Sequence, residues 1–154
     1  MKSGLQYLTV QDFIWINLQT SGKVNPFDFA ALEDSVSLQY GYGKSLNLFS
    51  QAAGMFMSLI KRSPFAEANR ATAIVGLAAF LKVNGFEFKG TPSKVIEALS
   101  GLTARDAGAI LNGLCRATSE HDDHHAPSVR DAAGEILKDF GKAISSLKEL
   151  SAGI

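Results

Sequence analysis

The stretch Ala71-Thr72-Ala73-Ile74-Val75-Gly76-Leu77-Ala78-Ala79-Phe80-Leu81-Lys82-Val83 is apolar on nearly every side. A helix of that kind has no face for water and belongs at the centre of a core. Ile74, Leu77, Phe80 and Leu81, set among small residues, supply its bulk. Asn84-Gly85 then ends it through the usual left-handed cap. Helix punctuation is frequent along the rest of the chain and strand alternation is scarce, so the period of the apolar residues predicts an all-α fold built around 71–83.

Upstream, Thr9 with Asp12 three residues on resembles a capping box, and Leu8 with Phe13 has the spacing of a hydrophobic staple around it. A helix from about Val10 to Gln19 is expected. Asn25-Pro26 reads as an N-cap followed by proline at the first helical position, with Asp28 near the positive end of the dipole, and that helix runs to about Tyr40. Gly41-Tyr42-Gly43-Lys44 breaks the pattern, and Leu46 to Lys61 reads as a largely buried helix.

Downstream, Phe86-Glu87-Phe88 alternates briefly, the pattern of one edge strand or the arm of a short β-hairpin. Thr91-Pro92 starts a short helix, Thr103 with Asp106 caps another, and Gly113 gives that helix no clear stop. Residues 117–127 form a polar linker. Ser128 with Asp131 opens a final amphipathic helix over 128–150, with Val129, Ala133, Ile136, Phe140, Ile144 and Leu147 on one stripe.

With 154 residues, 46% of them hydrophobic, the chain suits one domain over 1–154. Fifteen basic and fifteen acidic side chains cancel. No long-range field draws the protein to nucleic acid or an anionic membrane, so any anion site is local. The single Cys115 cannot form an internal disulfide and reads as a small core residue at a helical position, which fits a reducing cytoplasm. The first eight residues lack a signal-peptide core and the longest apolar run is short of a bilayer span, so a cytoplasmic protein is expected.

Between the two most apolar helices lies Ser63-Pro64-Phe65-Ala66-Glu67-Ala68-Asn69-Arg70-Ala71-Thr72-Ala73. A loop that runs into a helix N-terminus presents unpaired N–H groups beside the positive end of the dipole, the simplest protein site for a phosphate. Residues 66–71 lie at such a place, the amide of Ala68 among them. Arg70 adds a forked, permanently charged donor, Glu67 can hold a divalent cation that bridges phosphates, and Asn69 can orient the loop or a phosphate. Phe65 reads as the loop's anchor in the core. A plainer account makes Ser63-Pro64 the cap of the next helix and Glu67 with Arg70 a surface pair at helical spacing.

This segment resembles the signature of the Fic/Doc (Fido) family, His-x-Phe-x-Asp/Glu-Ala/Gly-Asn-Gly/Lys-Arg, with Ser63 in place of the histidine and Ala71 in place of the final arginine. Leu48-Phe49, Ala52-Ala53, Thr72-Ala73 and Asn84 to Phe88 also look like the Doc branch. Leu8-Thr9 through Asn17 and Phe27-Asp28 to Glu33 look like its early helices, so the likeness covers about 7–90. It implies a helical bundle and a nucleotide-dependent transferase: most members move AMP from ATP to a protein hydroxyl, while the Doc toxins transfer phosphate to a translation factor. It also implies Mg2+ at Glu67, phosphates on Ala68, Asn69 and Arg70, loop anchoring by Phe65, and Ser63 at the place of the catalytic base. An antitoxin peptide would then be the regulating partner, lying helix in groove.

Serine does not accept a proton near neutral pH, and loss of a positioned base costs about 10² to 10⁴ in rate. Ala71 removes a second phosphate donor, a loss that in comparable sites costs roughly 2.7 to 4 kcal/mol in the transition state. The expectation is a transferase inactive or impaired as written. The alternative is a non-catalytic binding or regulatory module on the same fold. Three accounts fit the serine: a natural pseudoenzyme, a substitution allowing expression of a toxic protein, or a variant that uses another base. Glu120-His121-Asp122-Asp123-His124-His125 holds all three histidines. It reads as a solvated loop, with a metal site or return of His121 to the base position as its functional readings. Ser93 to Glu97 nearly matches the family's inhibitory helix, but Ala98 follows where that helix needs glycine or asparagine.

Overall fold

The computed structural model describes residues 6–41, 47–102, 106–118 and 128–152, the stretch 146–152 as backbone alone. Among these residues the chain forms α1 (Val10–Ser21), α2 (Phe29–Ser37) running into a 3-10 turn (Leu38–Tyr40), α3 (Leu48–Arg62), α4 (Asn69–Val83), β1 (Phe86–Phe88), α5 (Pro92–Ser100), α6 (Ala107–Leu114), β2 (Cys115–Ala117) and α7 (Val129–Ala152). The fold is all-α, as the periodicity predicts, with one short two-stranded antiparallel sheet whose strands are separated in sequence by α5 and α6. No helix among the described residues is long and apolar enough to cross a membrane.

The central helix is α4. Every residue from Ala71 to Leu81 is buried, and α1, α3, α7 and β1 pack around it. At Gly76 α1 lies close against it: a Cβ there would stand 2.2 Å from the Phe13 ring. Gly85 takes φ 90° to turn the chain out of α4. Phe86, Glu87 and Phe88 then pair with Ala117, Arg116 and Cys115.

The caps largely follow the sequence. Thr9 and Asp12 form the reciprocal capping box, with Leu8 and Phe13 both fully buried beside it. Thr91 accepts from the Lys94 amide with Pro92 at the first helical position. The Asp131 amide donates to Ser128 Oγ at 3.1 Å. Of the final stripe, Ala133, Ile136, Phe140 and Ile144 are buried.

Two expectations need correction. The second helix does not start at Asn25-Pro26 but at Phe29, where Asp28 Oδ1 accepts from the Ala31 amide at 3.1 Å. Residues 26–28 are held extended by pairing with the loop after α3. Cys115 is not helical: it opens β2, because the backbone there completes the ladder to Phe88. Tyr42 to Leu46, Thr103, the linker from 119 to 127 with all three histidines, and the side chain of Leu147 lie outside the described residues.

Candidate functional site

Residues 63–68 join α3 to α4 and hold a shape that the local sequence does not favour. Ser63 ends α3 at φ 44° and Ala68 precedes α4 at φ 62°; among the described residues these are the two non-glycine positions with positive φ. Left-handed backbone costs an L-residue roughly 1–2 kcal/mol, so neighbouring contacts must impose it at both ends.

Those contacts are visible. Between the two turns Phe65 pairs antiparallel with Phe27, and the chain bends at Ala66 and Glu67. The Asp28 amide donates to Pro64 O at 2.8 Å and the Ala66 amide to Pro26 O at 3.0 Å. The Phe65 ring is buried, 5.8 Å from that of Phe27. Asn69 closes the loop from the helix side: its Oδ1 accepts from the Phe65 amide at 2.9 Å and its Nδ2 donates to Phe65 O at 2.7 Å.

A buried polar network fastens the loop to α1. Asn17, 2% exposed, donates from Nδ2 to Glu67 O at 2.9 Å and to Thr72 Oγ1 at 3.0 Å. Its Oδ1 accepts from Asn25 Nδ2 at 2.8 Å, and Asn25 also reaches Ser21 Oγ at 3.0 Å. Thr20 and Thr72 share a hydroxyl–hydroxyl bond of 3.1 Å. No buried side-chain polar atom among the described residues lacks a partner, and a fully satisfied network of this kind specifies one arrangement.

The result is an open helix start. No side chain caps α4, and the amides of Asn69, Arg70 and Ala71 have no acceptor among the described residues. Three N–H groups at the positive end of a long buried helix suit an anion. Glu67 stands beside them at the surface, its Oε2 2.5 Å from Lys23 Nζ. Arg70 lines a cavity of about 950 Å³ between α3, α4, α5 and α6, together with Lys61 and Arg62.

No family model, curated protein or solved structure matches this chain.

The predicted site residues therefore stand on their geometry. The structure brings Ser63, Phe65, Glu67, Ala68, Asn69 and Arg70 onto one short loop. Phe65 is the buried anchor it reads as, and Asn69 orients the loop, with both ends of its amide already engaged. The plainer account fails in both parts. Ser63 terminates α3 rather than capping α4, its Oγ donating to Ile60 O at 3.0 Å. Glu67 pairs with Lys23 across the loop rather than with Arg70, because Ala68 turns left-handed between them. Sequence reasoning missed Lys23, Asn25, Thr20 and the supporting role of Asn17. Small polar residues at positions 17, 20 and 21 on the buried side of α1 are the signal that pointed to them, since such residues inside a core need partners.

Among the described residues no group of three or more His, Cys, Asp or Glu is placed to hold a metal. A lone Glu67 suits Mg2+ only in the manner of nucleotide sites, where one carboxylate and the substrate phosphates share the ion, and only once Lys23 is displaced.

Proposed function

We propose that this chain is a Fic/Doc-type protein, closest to the Doc-like toxins, that binds ATP with Mg2+ at the 63–73 loop. Its catalysis, transfer of AMP or phosphate to a protein hydroxyl, is abolished or impaired by Ser63. The observation that supports this most is the uncapped start of α4 inside the signature: three amides with no acceptor among the described residues, with Glu67 and Arg70 flanking, on a loop held in one shape from both sides. The amides of Asn69, Arg70 and Ala71 would receive phosphate oxygens. Glu67 would hold the ion, and Asn69 and Phe65 would keep the loop still. A translation factor fits as the hydroxyl-bearing target, and an antitoxin peptide as the regulator in a toxin–antitoxin pair.

A second reading, a non-catalytic binding or regulatory module, is favoured by one observation. Ala71, at the position of the family's second phosphate donor, is 3% exposed within the core, where a guanidinium would be costly to bury. The packing has closed over the place from which that arginine would act.

The deciding experiment uses ATP labelled at the α or the γ phosphate, with magnesium and cell lysate, for the protein as it stands and for Ser63→His. Label appearing only with Ser63→His identifies an enzyme silenced at its base, and the labelled phosphate names the reaction. No label from either, with binding retained, selects the module. Failure of Mg-ATP to bind at about 1 mM, the upper end of usual enzyme affinities, together with no effect of Arg70→Ala, overturns the first reading.

A further inference from the structure

We infer that the cavity between α3, α4, α5 and α6 is a second ligand site, for a small amphipathic anion: an apolar body of drug-like size carrying one carboxylate, sulfonate or phosphate group. Its volume, about 950 Å³, lies at the upper end of the roughly 300–1,000 Å³ usual for small-molecule sites. Met57, Ile74, Ile96, Leu99 and Leu102 give it apolar walls.

Among the described residues, charge lies at its ends. Lys61 and Arg62 line it from the last turn of α3 and Arg70 from the first turn of α4. Arg62 is already bound to Asp34 at 2.7 Å, whereas Lys61 and Arg70 have no ion pair or hydrogen bond among the described residues. Lys61 suits the last turn of its own helix, but Arg70 lies in the first turn of α4, where the dipole disfavours a cation. Arg70 is exposed and also belongs to the 63–73 loop; an anion between it and Lys61 would give both charges a partner on the cavity side. Asp106, the acidic residue of the lining, is at the other end, two residues before Gly108, which abuts Ser50. At 1.5 Å per residue along α3, that end lies about 16 Å from Lys61. Among the described residues the cavity is thus polarised, and an anionic head belongs at Lys61 and Arg70.

Gly54 adds an independent mark. It sits in the middle of α3 and lines the cavity, and a Cβ there would meet nothing within 4 Å. Glycine weakens a helix interior, and no close approach among the described residues requires it; its effect is to leave the cavity wide.

The test titrates the full chain with anilinonaphthalene sulfonate and with N-phenyl-1-naphthylamine, the same aromatic body without the charge. The sulfonate should bind about 10-fold more tightly, the usual worth of a charged hydrogen bond, and Lys61→Met should erase that difference while leaving the neutral probe unchanged. Gly54→Leu should abolish binding of both with no drop in melting temperature, and should leave Mg-ATP binding as it was, which separates this site from the 63–73 loop. Displacement of the sulfonate by decanoate or by decyl phosphate assigns the head group. Equal affinity for the two probes, indifference to Gly54→Leu, or displacement by neither amphiphile would overturn the inference.

Discussion

Replacing Asn17 by alanine should destabilise the protein more than any other single polar deletion around the loop. The side chain is almost wholly buried and makes three hydrogen bonds, of 2.9, 3.0 and 2.8 Å, to Glu67 O, Thr72 Oγ1 and Asn25 Nδ2. At about 0.5–1.5 kcal/mol net for each bond the sum spans roughly 1.5–4.5 kcal/mol. Its lower half applies, because Thr72 keeps Thr20, Asn25 keeps Ser21, and Glu67 O lies near enough to the surface for water to replace its donor. A loss of about 2–3 kcal/mol corresponds, for a chain of this size, to a fall in melting temperature of roughly 4–12 °C. Urea unfolding of the wild type, Asn17→Ala, Thr72→Val and the double variant measures it. The two single losses should couple by about 0.5 kcal/mol or more, as contacting residues do. Native-state amide exchange at residues 65–71 should quicken in Asn17→Ala more than elsewhere. A loss under about 0.5 kcal/mol, the level of an ordinary surface change, would refute the view that this network fixes the loop.

Other substitutions separate the remaining contributions. Ala68→Gly relieves roughly 1–2 kcal/mol of left-handed strain and gives back about 0.4–1 kcal/mol in unfolded-chain entropy, so thermal unfolding should show a net gain; a loss would mean that φ 62° is not strained. Gly76→Ala drives a methyl into the Phe13 ring and should cost about 1–3 kcal/mol, read by urea unfolding; a neutral result would mean that α1 slides freely on α4. Burial pushes the Cys115 thiol from 9.0 up to about 11, a rise that nearby Lys89 partly offsets. The folded state holds that proton more tightly than the unfolded one, so this contribution is complete below pH 9 and is lost between pH 9 and 11. Cys115→Ala should flatten the alkaline fall in stability over that window; an unchanged slope would assign the fall to other groups.

The helices were legible because their signals are local. The even apolar surround of 71–83 predicts the burial of α4, and the Thr9/Asp12, Thr91-Pro92 and Ser128/Asp131 pairs place helix starts within a residue. The misses share one physical cause. Asn25-Pro26 carries a good helix-start pattern, yet Phe27 is drawn into a bridge with Phe65, distant in sequence. Cys115 continues an apolar helical pattern, yet the free edge of β1 claims it. Tertiary hydrogen bonds overrode propensity in both, and propensity is the weaker term. At the site, sequence showed which residues share the loop, whereas the Asn17 network and the pairing of Lys23 with Glu67 depend on how α1 lies across α4, which no local pattern encodes.

The contacts that shape the loop bear directly on whether restoring a base at position 63 is a fair test. The Phe65–Asn69 clamp, the Phe27–Phe65 bridge and the Asn17 bond to Glu67 O all act at or beyond residue 64, and none passes through the Ser63 side chain. That side chain is exposed, and its one bond, Oγ to Ile60 O, is local. Histidine is also among the residues that enter left-handed backbone more readily than most. Ser63→His should therefore leave stability within about 0.5 kcal/mol of the wild type, the range of surface substitutions, and should leave amide exchange across 64–70 unchanged. If the variant instead unfolds early or its loop exchanges faster, Ser63 is part of what holds the loop, and a silent transferase assay would carry no information about the missing base. If stability is unchanged, silence must come from chemistry, and buried Ala71 becomes the next place to look.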